Sequence, residues 1–114
     1  MAIGVCDRLG MLENAVYSVI SSRGAASILW KDAGKEHEAC DMLKITAEDL
    51  VGFGVAEAII EEPNGNAKND LDKIAENIKE FLSDTLIENC KKDIDVLLEE
   101  RYTKFRKIGD FIEP

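Results

Sequence analysis

Histidine occurs once in this chain of 114 residues, proline twice and tryptophan once, and there are three cysteines. With His37 alone and no Cys-x-x-Cys pair, no spacing offers a zinc site built within the chain. Cys6, Cys40 and Cys90 are odd in number and far apart, which argues against a disulfide framework and predicts reduced thiols in a cytoplasmic protein. Basic residues are scarce, 14 against 23 acidic ones, and the net charge of -9 leaves no excess to neutralise nucleic-acid phosphates. No uncharged apolar run approaches the roughly 20 residues that a membrane helix needs. The apolar opening, residues 1–6, is stopped by Asp7 and Arg8, too short for the apolar region of a signal peptide. With no polar lead-in, that opening reads as if cut from a longer chain.

What is present favours a folded protein. A hydrophobic share of 46% is normal for a globular chain, and the length suffices for one small domain or part of a larger one. The texture changes at Glu61-Glu62-Pro63-Asn64-Gly65-Asn66, a turn-forming cluster. Before it lie most of the glycines, Trp30, and short β-prone runs at 9–12, 15–20 and 55–60. After it, residues 68–109 contain no proline and are dense in Lys, Asp, Glu, Leu and Ile. The boundary divides the chain into 1–62 and 63–114.

The first part reads as strands near 8–12 and 15–20, then a helix from Ser22 or Arg23 to about Lys31. A second helix is expected over 35–43. Thr46 caps a third, with Glu48 and Asp49 in its first turn, ending at Gly52 or Gly54. A strand follows over 55–60. This alternation predicts an α/β unit. The second part is helical: Leu71, Ile74, Ile78, Phe81, Leu82 and Leu86 form one apolar stripe, and Ile94, Leu97, Leu98, Tyr102 and Phe105 another. Asn89 or Asp93 is placed to cap the later helix, Gly109 to stop it, and Pro114 ends the chain.

The candidate site is the corner Ser22-Arg23-Gly24, where a strand is expected to run into a helix. Free N–H groups and the helix dipole there accept an anion or a carbonyl oxygen; the alternative is an ordinary serine cap. A serine nucleophile at Ser18, Ser21 or Ser22 lacks a histidine partner, since His37 lies between Glu36 and Glu38 as a surface residue. Glu61-Glu62 and Glu99-Glu100 read as solvated edges. Arg101, Lys104, Arg106 and Lys107 read as favourable charge at a helix C-terminus, or as a contact for a phosphate or an acidic partner.

Longer blocks carry more. Ala2-Ile3-Gly4-Val5, Met11-Leu12-Glu13-Asn14-Ala15, Tyr17-Ser18-Val19-Ile20-Ser21 and Ala26-Ser27-Ile28-Leu29-Trp30-Lys31-Asp32-Ala33 come in order. Leu43-Lys44-Ile45-Thr46-Ala47, Glu62-Pro63 and Arg101-Tyr102-Thr103-Lys104-Phe105-Arg106-Lys107-Ile108-Gly109 follow. In these blocks the chain resembles the C-terminal portion of the alpha subunit of the bacterial acetyl-CoA carboxylase carboxyltransferase. The resemblance implies the end of a crotonase-type (ClpP/crotonase) β-β-α spiral over 1–62, and a helical extension over 63–114. It implies transfer of the carboxyl group from carboxybiotin, on its biotin carboxyl carrier protein, to acetyl-CoA, giving malonyl-CoA, the first committed step of fatty acid synthesis. The oxyanion-hole glycines of that fold are expected upstream of Met1, so no catalytic residue is assigned here and the chain alone is expected to be inactive. Ser21, Ser22, Arg23, Gly24 and Ala25 are expected to line the biotin side of the pocket. Partners implied are the carboxyltransferase beta subunit, which carries the family's zinc, and a second alpha copy within an alpha2beta2 assembly; neither nucleic acid nor membrane is implied.

The chain departs from the family pattern in two places. Relatives usually read Ser-Pro-Glu-Gly-Cys where this chain has Ser21-Ser22-Arg23-Gly24-Ala25, and Leu-Gly-Gly-Ala-His where it has Asn64-Gly65-Asn66-Ala67-Lys68. Crotonase-fold hydratases place an acid–base glutamate near the position of Ser21; a serine there suits carboxyl transfer, which needs positioning and enolate stabilisation. Two rival readings remain: a non-catalytic helical assembly module, and another crotonase-fold acyl-CoA enzyme. Size-exclusion chromatography with and without a beta subunit separates the first, and the residues upstream of Met1 the second.

Overall fold

Two three-residue strands hold the N-terminal half together in the computed structural model, which describes residues 2–65 and 67–113. Strand β1 (Gly10–Leu12) pairs in parallel with β2 (Ala58–Ile60), in the register Gly10↔Ala58, Met11↔Ile59 and Leu12↔Ile60. Parallel strands need a long crossover, and here it carries three helices: α1 (Ser22–Trp30), α2 (Glu36–Leu43) and α3 (Ala47–Gly52). Two longer helices follow, α4 (Leu71–Cys90) and α5 (Ile94–Arg106). This is a mixed α/β arrangement. Met1, Asn66 of the expected turn and the closing Pro114 lie outside the described residues.

The core is thin and divided. One cluster, Met11, Ala47, Leu50 and Ala56, sits under the strand pair. The other, Ala25, Ala26 and Ala39, lies at the crossing of α1 and α2, flanked by Ile20, Trp30 and Leu43. Both crossing helices end on a lysine in the left-handed conformation, Lys31 (φ 56°) and Lys44 (φ 49°). The described chain measures 50 × 49 × 20 Å, with a radius of gyration of 16.9 Å. A compact chain of this size would have a radius of about 13 Å, so the molecule is a plate one or two layers deep.

Three expectations are corrected here and one is sharpened. Residues 15–20 do not form a strand: only an isolated antiparallel bridge joins Val16 to Thr46, with Tyr17 N–H donating to Ile45 O at 3.1 Å. The α4 stripe is rotated from the one read in the sequence. Ile74, Ile78, Phe81 and Thr85 face inward, while Leu71, Leu82 and Leu86 are exposed. Asp93 is the N-cap residue of α5, one of the two expected, though its side chain makes no capping bond. Helix α5 ends at Arg106, before the left-handed Gly109 (φ 96°).

Helix α4 docks on β1 through an aromatic contact. A Cβ on Gly10 would fall 2.8 Å from two atoms of the Phe81 ring, so only glycine lets the ring lie against the strand. Arg8 covers the same ring, its guanidinium 5.5 Å from the centroid.

Helix α5 is seated by charge instead. It buries no residue, and its half-buried positions are Leu97, Arg101, Thr103 and Lys104. Arg101 donates to both Asp7 oxygens, at 2.8 and 3.1 Å. Lys104 Nζ reaches Glu57 at 2.6 Å and Cys6 O at 3.3 Å. Thus Arg101 and Lys104, read as helix-end charge, instead hold the helix to the 6–8 segment and to the start of β2.

The hydrogen bond from Arg101 holds the Asp7 carboxyl below its usual range, aided by the charges of Arg101, Lys104 and Lys92 and opposed by burial. A lowered folded-state value means the contact stabilises fully above the unfolded carboxylate pKa, and is lost as pH falls through the folded value. An NMR titration of the Asp7 carboxyl should therefore give a midpoint below that of an unfolded-state aspartate. Arg101→Gln should move it back up; an unchanged midpoint would show that the pair does not form in solution.

Candidate functional site

Helix α1 opens at a serine cap. Ser21, in extended backbone (φ -68°, ψ 152°), accepts the Gly24 N–H on its Oγ at 3.1 Å and the Ala25 N–H on its carbonyl at 2.9 Å. The cap is therefore Ser21, one residue before the corner expected from the sequence. The N–H groups of Ser22 and Arg23, in the first turn, meet no acceptor among the described residues. Ser21→Ala should cost about 1 kcal/mol of stability by thermal or chemical denaturation, with a serine-to-glycine change milder. No loss on Ser21→Ala would rule out the cap.

The five expected pocket residues separate. Ser21 and Ser22 line a groove of about 380 Å³ with Val16, Val19, Cys40 and Ile45. Its walls are aliphatic, its rim carries serine hydroxyls, and it lies beside the first turn of α1. Arg23 is exposed and has no ion pair among the described residues. Gly24 and Ala25 turn toward the α1–α2 crossing. A Cβ on Gly24 would meet Ile20 Cγ1 at 3.0 Å and Ser21 Oγ at 3.1 Å, so a side chain there would press on both the cap and its neighbour. Ala25 is buried in the alanine cluster. The structure thus brings Ser21 and Ser22 to one groove, and does not bring Arg23, Gly24 or Ala25 to its lining.

His37 is exposed on α2, and among the described residues no hydrogen bond links it to a serine. The three cysteines are free thiols. Among the described residues no three His, Cys, Asp or Glu side chains converge to hold a metal.

One polar assembly was missed by the sequence reading. Glu62, expected at a solvated edge, is 8% exposed and sits at the C-terminal end of the parallel pair. Its Oε2 accepts the Asn14 N–H at 2.6 Å, while Glu13 Oε2 accepts the Glu62 N–H at 3.2 Å. The Glu13 N–H donates to Ile60 O at 2.9 Å, and the Asn14 amide to Gly65 O at 3.1 Å. Each carboxylate closes the end of the opposite strand, which fixes where the chain leaves β1 for the groove segment. The signal was available: these residues stand in the blocks Met11-Leu12-Glu13-Asn14-Ala15 and Glu62-Pro63, but no role was assigned to them.

A parallel strand pair with a helical crossover, a serine-capped helix beside an aliphatic groove and a long helical extension define an α/β protein with its candidate site at a helix-opening corner. The family model for acetyl co-enzyme A carboxylase carboxyltransferase-like proteins matches residues 1–109, and the chain belongs to that family. It is 50% identical over 113 residues to the acetyl-coenzyme A carboxylase carboxyl transferase subunit alpha of Shouchella clausii, covering 99% of this chain and 35% of that protein. The Clostridium acetobutylicum subunit alpha is 46% identical over 113 residues, covering 99% of this chain and 41% of its own length. A protein of Natranaerobius thermophilus named as subunits beta/alpha is 49% identical over 113 residues, 99% of this chain and 19% of that protein. The chain therefore spans between a third and about two-fifths of the alpha subunits it matches.

Proposed function

We propose that the chain acts as part of the carboxyltransferase component of acetyl-CoA carboxylase, moving a carboxyl group from carboxybiotin on its carrier protein to acetyl-CoA to give malonyl-CoA. The observation that carries this reading is the family match across residues 1–109, with relatives named for that enzyme at 46–50% identity. On this reading residues 1–62 are the last elements of a crotonase-type spiral and 63–114 a helical extension. The parallel pairing of β1 with β2 across a helical crossover supports it. The partner is a carboxyltransferase beta subunit, which the beta/alpha relative carries in the same polypeptide. On this reading the zinc belongs to that subunit. The setting is cytoplasmic; no described helix is long and apolar enough to cross a membrane.

Carboxybiotin, as substrate, supplies the carboxyl group. The chain's own contribution is placement. The aliphatic groove beside Ser21 and Ser22 excludes water from a bound apolar ring, and the open N–H groups of Ser22 and Arg23 offer donors to a carbonyl or carboxylate oxygen. Glu13 and Glu62 fix the segment that forms the groove wall. No side chain at the corner is a general base, in keeping with a reaction governed by positioning and enolate stabilisation. Since the oxyanion donors are expected upstream of Met1, the chain alone should show no malonyl-CoA decarboxylation above background. A measurable rate from the chain by itself would overturn that assignment.

A further inference from the structure

The segment that walls the groove, residues 16–22, has no strand partner along its length. Val16 bridges Thr46, Tyr17 N–H donates to Ile45 O at 3.1 Å, and Val19 is 80% exposed. Val16 and Ser18 line the groove, while Tyr17, between them, does not. Its side chain packs instead against the cluster of Met11, Ala47, Leu50 and Ala56. The far end of the ring rests on Gly4. A Cβ at Gly4 would fall 1.9 Å from Tyr17 Oη and 2.8 Å from Tyr17 Cζ, so the phenol occupies the place of a side chain. Gly4 is buried and is not in the left-handed conformation, so the ring alone excludes an alanine there.

Gly4 belongs to a turn that is itself held. Val5 N–H donates to Ala2 O at 3.2 Å, and just beyond it α5 binds Cys6 O through Lys104 and Asp7 through Arg101. The ring thus leans on a fixed base at its tip and carries the groove wall at its root. We propose that Tyr17 is a positioning residue, whose fit on Gly4 sets where the wall stands and so the shape of the groove lined by Ser21, Ser22 and Cys40. A methyl added at Gly4 demands that the tip move by about 1 Å or more to regain ordinary contact. A rigid ring among packed neighbours passes that shift to its own backbone, and so to Val16 and Ser18 on either side and to the bond with Ile45. The coupling stands on geometry alone; its bearing on carboxyl transfer rests on the groove being the carboxybiotin site.

The first arm of the test is a set of amide NMR spectra of the 114-residue chain. Gly4→Ala should move the signals of Val16, Ser18 and Thr46, while those of Ala26 and Ala39 at the α1–α2 crossing stay in place. Adding Tyr17→Phe should bring the wall signals part of the way back to those of Tyr17→Phe alone, since loss of the hydroxyl leaves Cζ, at 2.8 Å, as the nearest atom. Unmoved wall signals in a folded Gly4→Ala chain, or a double variant that returns nothing, would overturn the proposal. The second arm is carboxyl transfer from malonyl-CoA to free biotin, by an alpha subunit that carries this segment and is assembled with its beta subunit. Gly4→Ala, and Tyr17→Leu, which withdraws the tip without adding bulk, should each raise the KM for biotin by about threefold or more and leave that for malonyl-CoA unchanged. Tyr17→Phe, which keeps the ring, should leave both within about twofold. A loss of kcat alone in both variants, with the biotin KM and the wall signals unmoved, would also overturn the proposal. Moved wall signals with an unchanged biotin KM would keep Tyr17 as the support of the groove and remove carboxybiotin from it, so the two readings fail separately.

Discussion

Ala26→Leu is expected to destabilise the chain by about 3 kcal/mol, the upper part of the usual range for overpacking a closed site. Ala26 and Ala39 have no exposed surface and lie in the same cluster where α1 crosses α2, with Ala25 beside them. Small residues let the two helix backbones approach closely. A leucine adds three carbons where no void exists, so the helices must separate or the side chain must leave its rotamer. The melting midpoint should fall by roughly 10–15 °C for a chain of this size. Ser27→Leu, one position along on the exposed side, should change stability by only about 0.5 kcal/mol. Equal effects at the two positions would show that the α1–α2 crossing is not the packed element described here.

The second large effect is expected at Ile74. It is the one residue of α4 that is buried, at 4% exposure, and it heads the inward row continued by Ile78, Phe81 and Thr85. Ile74→Ala removes three carbons from a site too constrained to refill, at a cost of about 3 kcal/mol. Leu71→Ala, Leu82→Ala and Leu86→Ala remove similar groups from exposed positions of the same helix and should each cost about 0.5 kcal/mol or less. Denaturant midpoints for the four variants give the comparison directly. If the leucines matter as much as Ile74, the helix is seated with the face read from the sequence rather than the one described here.

That contrast shows where the sequence was legible. The existence of α4 followed from apolar residues recurring over five turns, a signal that survives errors in any one position. Its facing did not, because leucines at 71, 82 and 86 fit an apolar stripe as well as the inward row does. Thr46 was recognisable as a cap, since a threonine followed by Glu48 and Asp49 satisfies the first-turn donors and the helix dipole; its Oγ1 accepts the Asp49 N–H at 3.3 Å. Residues 15–20 have β-branched and aromatic content that suits a strand. Strand formation needs a neighbour along its length, and here only Val16 and Tyr17 find one, while Val19 is 80% exposed. An apolar stripe was legible on α5, but its seat on Arg101 and Lys104 was not, because their acceptors, Asp7 and Glu57, lie far away in sequence.

At the candidate site the corner was placed to within one residue, because a serine before a glycine-containing, alanine-rich run is a helix start at short range. Which of its residues share a groove was not legible. That depends on α2 supplying Cys40, and on the stretch after it supplying Ile45. The burial of Glu62 was also hidden, since two adjacent glutamates give no local sign that one turns inward to meet a backbone N–H 48 residues away.

The carboxyltransferase reading is tested most directly by grafting. Residues 2–109 of this chain, replacing the matching segment of the Shouchella clausii alpha subunit, should give an alpha subunit that assembles with its beta subunit and forms malonyl-CoA. The rate should lie within about tenfold of the parent, a difference of roughly 1.4 kcal/mol in the barrier. A folded, assembled graft with no carboxyl transfer would contradict the account.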